Sequence, residues 1–341
     1  GDAALFRTEK AESLGKLLVP WAKRLVEKRN LCLKLGMLYV DDKKLLGTSS
    51  ARDLAGTMWA HAKVCAVNEA LFLKAGNHVR KGGLLEKAST QDMAILLWAY
   101  ADLGWPNKRL FQAVGTKLVE GGRLDTCNQQ DVSLLLWSHA KMKMWQEEFC
   151  QALAARVAQV GMTNSQAASN SLWAMAELGV AGCDGSVQVL CDLVQRGGVG
   201  AVTAQGAANM LWALAVLGRQ DSGACAVLLS SLLPRTSMLD VSDKCQVHQF
   251  FLAQRLFGEE EEGRYEEPAV EVLRAECAEA FIETSSRYQR PSSMQGRIRE
   301  IVLELGVGEV LCEHVLPGIG YSVDLFIPSL NLAVEVDGPG H

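Results

Sequence analysis

Three acidic residues near the C-terminus have the types and spacing of a metal-holding set. In Tyr321–Ile327 the aliphatic Val323, Leu325 and Ile327 alternate with Asp324 and Phe326. In Leu332–Val336 the aliphatic Leu332, Val334 and Val336 alternate with Ala333 and Glu335. Alternation of period two puts Asp324 and Glu335 on the face opposite the aliphatics, with Asp337 next on that face. Carboxylates converging from adjacent strands can hold a divalent ion that activates water against a phosphodiester. Asp324, Glu335 and Asp337 are therefore the candidate catalytic residues of a nuclease reading. Asp337, however, brings negative charge where a phosphoryl transition state needs a cation. The adopted reading is polar RNA-binding or structural use of these carboxylates, with no catalytic residue, no metal and no cofactor.

A second polar series recurs through the chain. Gln91–Gly104, QDMAILLWAYADLG, returns as RDLAGTMWAHAKVC, QDVSLLLWSHAKMK, QAASNSLWAMAELG and QGAANMLWALAVLG. The tryptophans Trp59, Trp98, Trp137, Trp173 and Trp212 lie 39, 39, 36 and 39 residues apart, a period that signals stacked repeats. Helical geometry gives each unit a polar stripe seven, six and three residues before the tryptophan and four after it. The first of these positions holds Arg52, Gln91, Gln130, Gln166 and Gln205; the second holds Asp53, Asp92, Asp131, Ala167 and Gly206. The third holds Gly56, Ile95, Leu134, Asn170 and Asn209, and the last holds Lys63, Asp102, Lys141, Glu177 and Val216. Amides and carboxylates match base edges, and repeat proteins read one base per unit with two or three such side chains. The same Gln and Asp types also cap the first turn of a helix, and both readings stand for the aspartates. Ile95 and Leu134 imply that their two repeats bind weakly or face a protein.

The elements that must position this stripe are helical pairs. Met93, Ala94, Leu97, Trp98 and Ala101 share one face at 3.6-residue spacing and are expected to be buried. Alanine recurs three residues after each tryptophan (Ala62, Ala101, Ala140, Ala176 and Ala215). Gly104, Gly179 and Gly218 fall six residues after theirs, where a left-handed residue ends a helix. Pro106 suits the first turn of the next helix, whose apolar stripe is Leu110, Phe111, Val114 and Leu118. One such pair cannot bury its own faces, whereas a stack can, so the expected fold is mainly α, an α-solenoid.

At 341 residues, 49% hydrophobic and 21% charged, the chain has the composition of a folded protein of two domains. No run of about 18 apolar residues suggests a membrane span. Ten cysteines form no C-x-x-C, and Cys150 and Cys191 fall on apolar stripes, so they read as reduced small hydrophobes. His61 and His139 share one repeat position, which points to packing rather than metal binding. The net charge of −5 is uneven: residues 258–283 carry −8, leaving about +3 elsewhere, and local charge is what a polyanion meets.

Four segments follow. Residues 1–47 form a basic helical cap with Lys10, Lys16, Lys23, Arg24, Lys28, Arg29 and Lys34, in which Trp21 marks a worn repeat. Residues 48–257 form the array, ending in a degenerate unit around Phe250 and Ala253. Residues 258–290 form an acidic linker or helix that includes Glu259–Glu262. Residues 291–341 begin an α/β domain: an amphipathic helix with Met294, Ile298, Ile301, Val302 and Leu305 on its apolar side, then strands at Val310–Leu316, Tyr321–Ile327 and Leu332–Val336. With nothing to complete the sheet after His341, this domain reads as incomplete.

The five tryptophan units, with LLWAYADLG and LWALAVLG the clearest, resemble octotricopeptide repeats, helical pairs found in organellar RNA-binding proteins. The stretch from SSMQGRIREIVLELG through YSVDLFIPSLNLAVEVDGPGH is similar to the RAP domain, and the two parts commonly occur in this order. Asp324 followed by Glu335-Val-Asp337 resembles the carboxylate pattern of restriction-endonuclease-like folds, with Asp337 where a lysine is expected. The resemblance implies single-stranded RNA as partner, an organellar mRNA or rRNA, in a mitochondrion or alternatively a plastid. It implies a role in transcript stability, processing or translation, or a structural place among ribosomal or other ribonucleoprotein subunits. No membrane and no small-molecule substrate is expected.

Overall fold

Each tryptophan unit folds as two helices, because its apolar residues recur at helical spacing and its ends carry capping residues. The computed structural model describes residues 27–198, 201–220, 222–257, 267–286 and 291–337. Lys10, Lys16, Trp21, Lys23, Arg24, Glu259–Glu262 and residues 338–341 lie outside them. The described chain is mainly helical, with a small antiparallel sheet near its C-terminus. It divides into two compact units, one of Gly1–Leu193 with Gly198–Gly200, the other of Val194–Gly197 with Ala201–His341. That boundary falls inside the repeated stretch.

In the first unit, α1 (27–41) and α2 (Lys43–Thr48) precede α3 (Ala51–Lys63) and α4 (Glu69–Lys81). The short α5 (Leu84–Lys87) leads to the pair α6 (Thr90–Asp102) and α7 (Lys108–Glu120). The pair α8 (Gln129–Lys141) and α9 (Glu147–Gln159) follows, then α10 (Ser165–Leu178) and α11 (Asp184–Gln195). The tryptophan helices pack in chain order, α3 on α6, α6 on α8 and α8 on α10, while α4 meets α7 and α7 meets α9. Met93, Ala94, Leu97 and Ala101 are buried as expected, and so are Leu110, Phe111, Val114 and Leu118 of the second stripe.

A ring two residues after the tryptophan joins the two layers in three successive units. Tyr100 Oη donates to the Phe72 carbonyl at 2.6 Å, with its ring edge-on to Phe72. His139 lies between Phe111 and Phe149, 5.0 Å from each ring centre. Glycines on the facing helices make room. A Cβ on Gly36 would come within 2.7 Å of His61 Nε2, and one on Gly76 within 2.8 Å of Tyr100 Oη.

The six-after position takes a left-handed backbone in all five units: Cys65, Gly104, Lys143, Gly179 and Gly218 have φ between 49° and 67°. The expectation for the three glycines holds, and two side chains adopt the same conformation. Pro106 departs from expectation. It stands before Asn107, whose side chain caps α7 by accepting from Leu110 N, so the proline lies outside the first turn.

The second unit begins with α12 (Ala204–Val216), α13 (Gly223–Leu232) and α14 (Val241–Phe257). It continues with α15 (Pro268–Ser286), α16 (Ser293–Glu304), β1 (Leu311–Val315), β2 (Ser322–Ile327) and β3 (Leu332–Val334). Helix α14 packs on α12 and α15, with Phe250 buried at the tryptophan position. The sheet runs β1-β2-β3, with Leu325 opposite Cys312 and Val334. Ile298 and Val302 of α16 lie against Val310, Leu325 and Ile327. Met294, Ile301 and Leu305, expected on the same apolar side, are exposed: at 100° per residue they lie together on one edge of the stripe, beside the line of Ile298 and Val302 that the sheet covers. Among the described residues no helix is long and apolar enough to cross a membrane.

Candidate nucleic-acid interface

Along α3, α6, α8, α10 and α12 the residue seven before the tryptophan is exposed, and so is the residue four after it. Three before, Ile95, Leu134, Asn170 and Asn209 are half-buried and Gly56 is exposed. The tryptophans themselves are the correction. Expected in the core, Trp98, Trp137, Trp173 and Trp212 are half-buried and Trp59 is 46% exposed. Residues at −7, −3, 0 and +4 span about one sixth of a helical turn in azimuth, so the indole belongs to the polar stripe and not to the Leu/Ala face. That signal was present in the spacing.

The residues six before the tryptophan leave the stripe. Asp53, Asp92 and Asp131 each close a capping box with Ser50, Ser89 and Asn128, their carboxylates accepting from the cap backbone N–H. Asp131 is buried and also accepts from Thr90 Oγ1 at 3.4 Å. Burial raises its pKa, against the Asn128 and Thr90 hydrogen bonds that lower it. Hydrogen bonds from Ser50 hold the Asp53 carboxyl below its ordinary value. These carboxylates are therefore committed to the helix ends.

In the first unit the stripe borders a groove of about 380 Å³. Gln130 and Gln166 come from the −7 position, Ile95, Leu134 and Asn170 from −3, Trp59 and Trp98 from 0, and Lys63 from +4. Gln129 and Asn164, which the repeat spacing did not single out, also line it. Gln129 is already engaged, its Oε1 accepting from Asn164 N at 3.0 Å and its Nε2 facing Thr163 Oγ1 at 3.4 Å. By contrast, the side-chain amides of Gln91, Gln130, Gln166 and Asn170 have no hydrogen-bond partner among the described residues. Gln205 and Asn209 occupy the corresponding places on α12 in the second unit, one exposed and one half-buried.

One cation lines this groove and two more lie on the same stripe. Lys63 Nζ lies 4.5 Å from the Trp98 ring centre and 6.0 Å from that of Trp59. Arg52 is extended into solvent, with Nε 3.7 Å from an Asp92 oxygen. Lys141 is exposed at the end of α8. Between the lysines stands Asp102, whose pKa is raised by burial while the charges of Lys63 and Lys141 pull it back down. The arrangement offers amide donors and acceptors, two indole rings and exposed cations along the stripe shared by successive tryptophan helices, the chemistry that base edges, base faces and phosphates require.

The C-terminal carboxylates do gather. Asp324 Oδ1 accepts from Gln295 Nε2 at 2.6 Å, and Oδ2 from Val336 N at 2.6 Å. The same Gln295 Nε2 donates to Glu313 Oε1 at 2.9 Å, a carboxylate the strand alternation did not reveal. Glu335 joins them. Desolvation raises its pKa first, with Asp324 and Glu313 adding to the rise. Asp337 is exposed, and the hydrogen bonds that tie the group do not involve it. A carboxylate cluster is thus tied by one amide from α16 and one backbone N–H, an arrangement that supports the sheet. Among the described residues no group of three or more His, Cys, Asp or Glu is placed to hold a metal ion.

No family model matches this chain, and no curated protein matches it.

Proposed function

We propose that the chain is a single-stranded RNA-binding protein whose tryptophan helices form an α-solenoid of octotricopeptide-like units followed by a RAP-like segment. It acts on an organellar transcript or ribosomal RNA, in a mitochondrion or a plastid, without catalysing a reaction. The observation that carries this reading is the set of amides Gln130, Gln166 and Asn170, unpartnered among the described residues, beside Trp59, Trp98 and Lys63 in one groove. A protein surface with no partner leaves such groups to water. Their recurrence seven and three residues before the tryptophans, with a cation beside them, is the pattern of a reader of a repeating polyanion. The Asp324, Glu313 and Glu335 cluster has a structural part in this reading, since Gln295 and Val336 N already engage Asp324.

Selection from a random single-stranded RNA pool tests it. A discrete enriched sequence is the expected outcome. Replacing Gln166 and Asn170 with Ala is expected to lower affinity for it by about tenfold or more, each good bidentate base contact being worth ~1–3 kcal/mol of discrimination. Affinity for a scrambled RNA and the thermal midpoint should stay nearly constant. Selection that enriches nothing, or a double variant that binds every RNA as the wild type does, would sink the reading.

A further inference from the structure

We infer that Trp98, with Trp59 facing it across Lys63, is a stacking platform for one nucleobase, and that Lys63 holds the platform closed until RNA arrives. The inference rests on the RNA-binding reading and specifies how a base is taken. Trp59 is 46% exposed and Trp98 half-buried, so both rings leave part of their surface open to solvent. Both border the groove that Gln130, Gln166 and Asn170 rim.

Lys63 Nζ sits over the Trp98 face at 4.5 Å and within 6.0 Å of Trp59, so the ring centres are no farther apart than the sum of these distances. An ammonium on an exposed indole face is a weak contact. A stacked base on the same face is the stronger one, so displacement is downhill. The displaced cation stays on a flexible four-carbon stem at the end of α3, where the phosphate of the stacked nucleotide gives it a stronger partner. Ile95 and Leu134, three residues before Trp98 and Trp137, line the same groove. Their lack of hydrogen-bonding groups fits apolar contact with a base plane. In this scheme α6 and α8 grip a base face while Asn170 of α10 meets an edge.

Binding of fluorescent oligoadenylate and of an abasic ribose-phosphate oligomer of equal length tests the platform, using the whole chain. Trp98→Leu is expected to weaken oligoadenylate binding by about 5- to 100-fold, while Trp98→Phe stays within about threefold of wild type because an aromatic face remains. Neither change should alter abasic binding, where nothing stacks. If Trp98→Leu fails to fold, ultraviolet crosslinking of oligoadenylate to the wild type decides. Crosslinked peptides from Ala51–Lys63 and Thr90–Asp102 support the platform, and crosslinks only elsewhere overturn it. Wild-type binding that is indifferent to both substitutions refutes stacking and leaves the RNA reading intact. Failure of the wild type to bind either oligomer or any selected RNA removes both.

Discussion

His139 packs between Phe111 and Phe149 with Nδ1 on the Leu135 carbonyl at 2.8 Å, and burial holds its pKa down to about 4. An unfolded histidine titrates near 6.5, so between these values the unfolded chain binds a proton that the folded chain does not. Stability is therefore complete above about pH 6.5 and falls as pH drops towards 4. The loss from this group between pH 7 and pH 5 is about 2 kcal/mol, at ~1.4 kcal/mol per unit of pH below 6.5. His139→Met places at this site the residue that the next unit carries, Met175, and removes the titration. The variant is expected to show a smaller drop in thermal midpoint between pH 7 and 5 than the wild type; an equal drop would show that His139 is not the group responsible. The packing role of His61 and His139 was legible from their shared repeat position. The indoles were not placed correctly, because an aromatic residue beside leucines suggests core unless its azimuth is counted. Glu313 and Gln295 were invisible for another reason: only the folded sheet and α16 bring them to Asp324.

Helix ends show how much local sequence fixes and where it needs the structure. The left-handed turn six residues after each tryptophan was legible at Gly104, Gly179 and Gly218, since glycine alone adopts it without strain. Cys65 (φ 49°) and Lys143 (φ 50°) make the same turn without that freedom, because the packed pair of helices imposes it. A side chain in this conformation costs ~1 kcal/mol or more. Lys143→Gly is therefore expected to stabilise the first unit by about 0.5–1 kcal/mol. Gly104→Ala should cost a similar amount, a purely conformational loss, because a Cβ there meets nothing within 4 Å. Chemical unfolding of the two variants measures both. A destabilised Lys143→Gly would mean that the turn is not under strain. The second and third strands were also legible, from period-two alternation, although β3 ends at Val334 and leaves Glu335 and Val336 beyond it. The apolar face of α16 was only half legible, since periodicity reports what a helix can bury and not how wide its neighbour is.

Across the whole chain, the net charge of −5 hides a groove with few cations and a strongly acidic segment at 258–283. The stripe brings Arg52, Lys63 and Lys141 to one side of the first unit's tryptophan helices. Three phosphate contacts on single-stranded RNA give a slope of log affinity against log salt of about −2, at ~0.7 per phosphate neutralised. That is a shallow dependence, which leaves base faces and edges to supply most of the binding. The acidic segment works in the same direction, lowering long-range attraction at low salt. At physiological ionic strength its field is cut off within roughly 8 Å. Replacing Lys63 and Lys141 with Gln should reduce the slope to about −0.7 while the preferred RNA sequence stays the same, because phosphate contacts position a strand and base contacts specify it. Affinity titrations from low to high salt, on wild type and double variant with the selected RNA, measure this. A wild-type slope several units steeper, or one unmoved by the two substitutions, would mean that RNA runs over another basic surface and that the tryptophan groove serves a different partner.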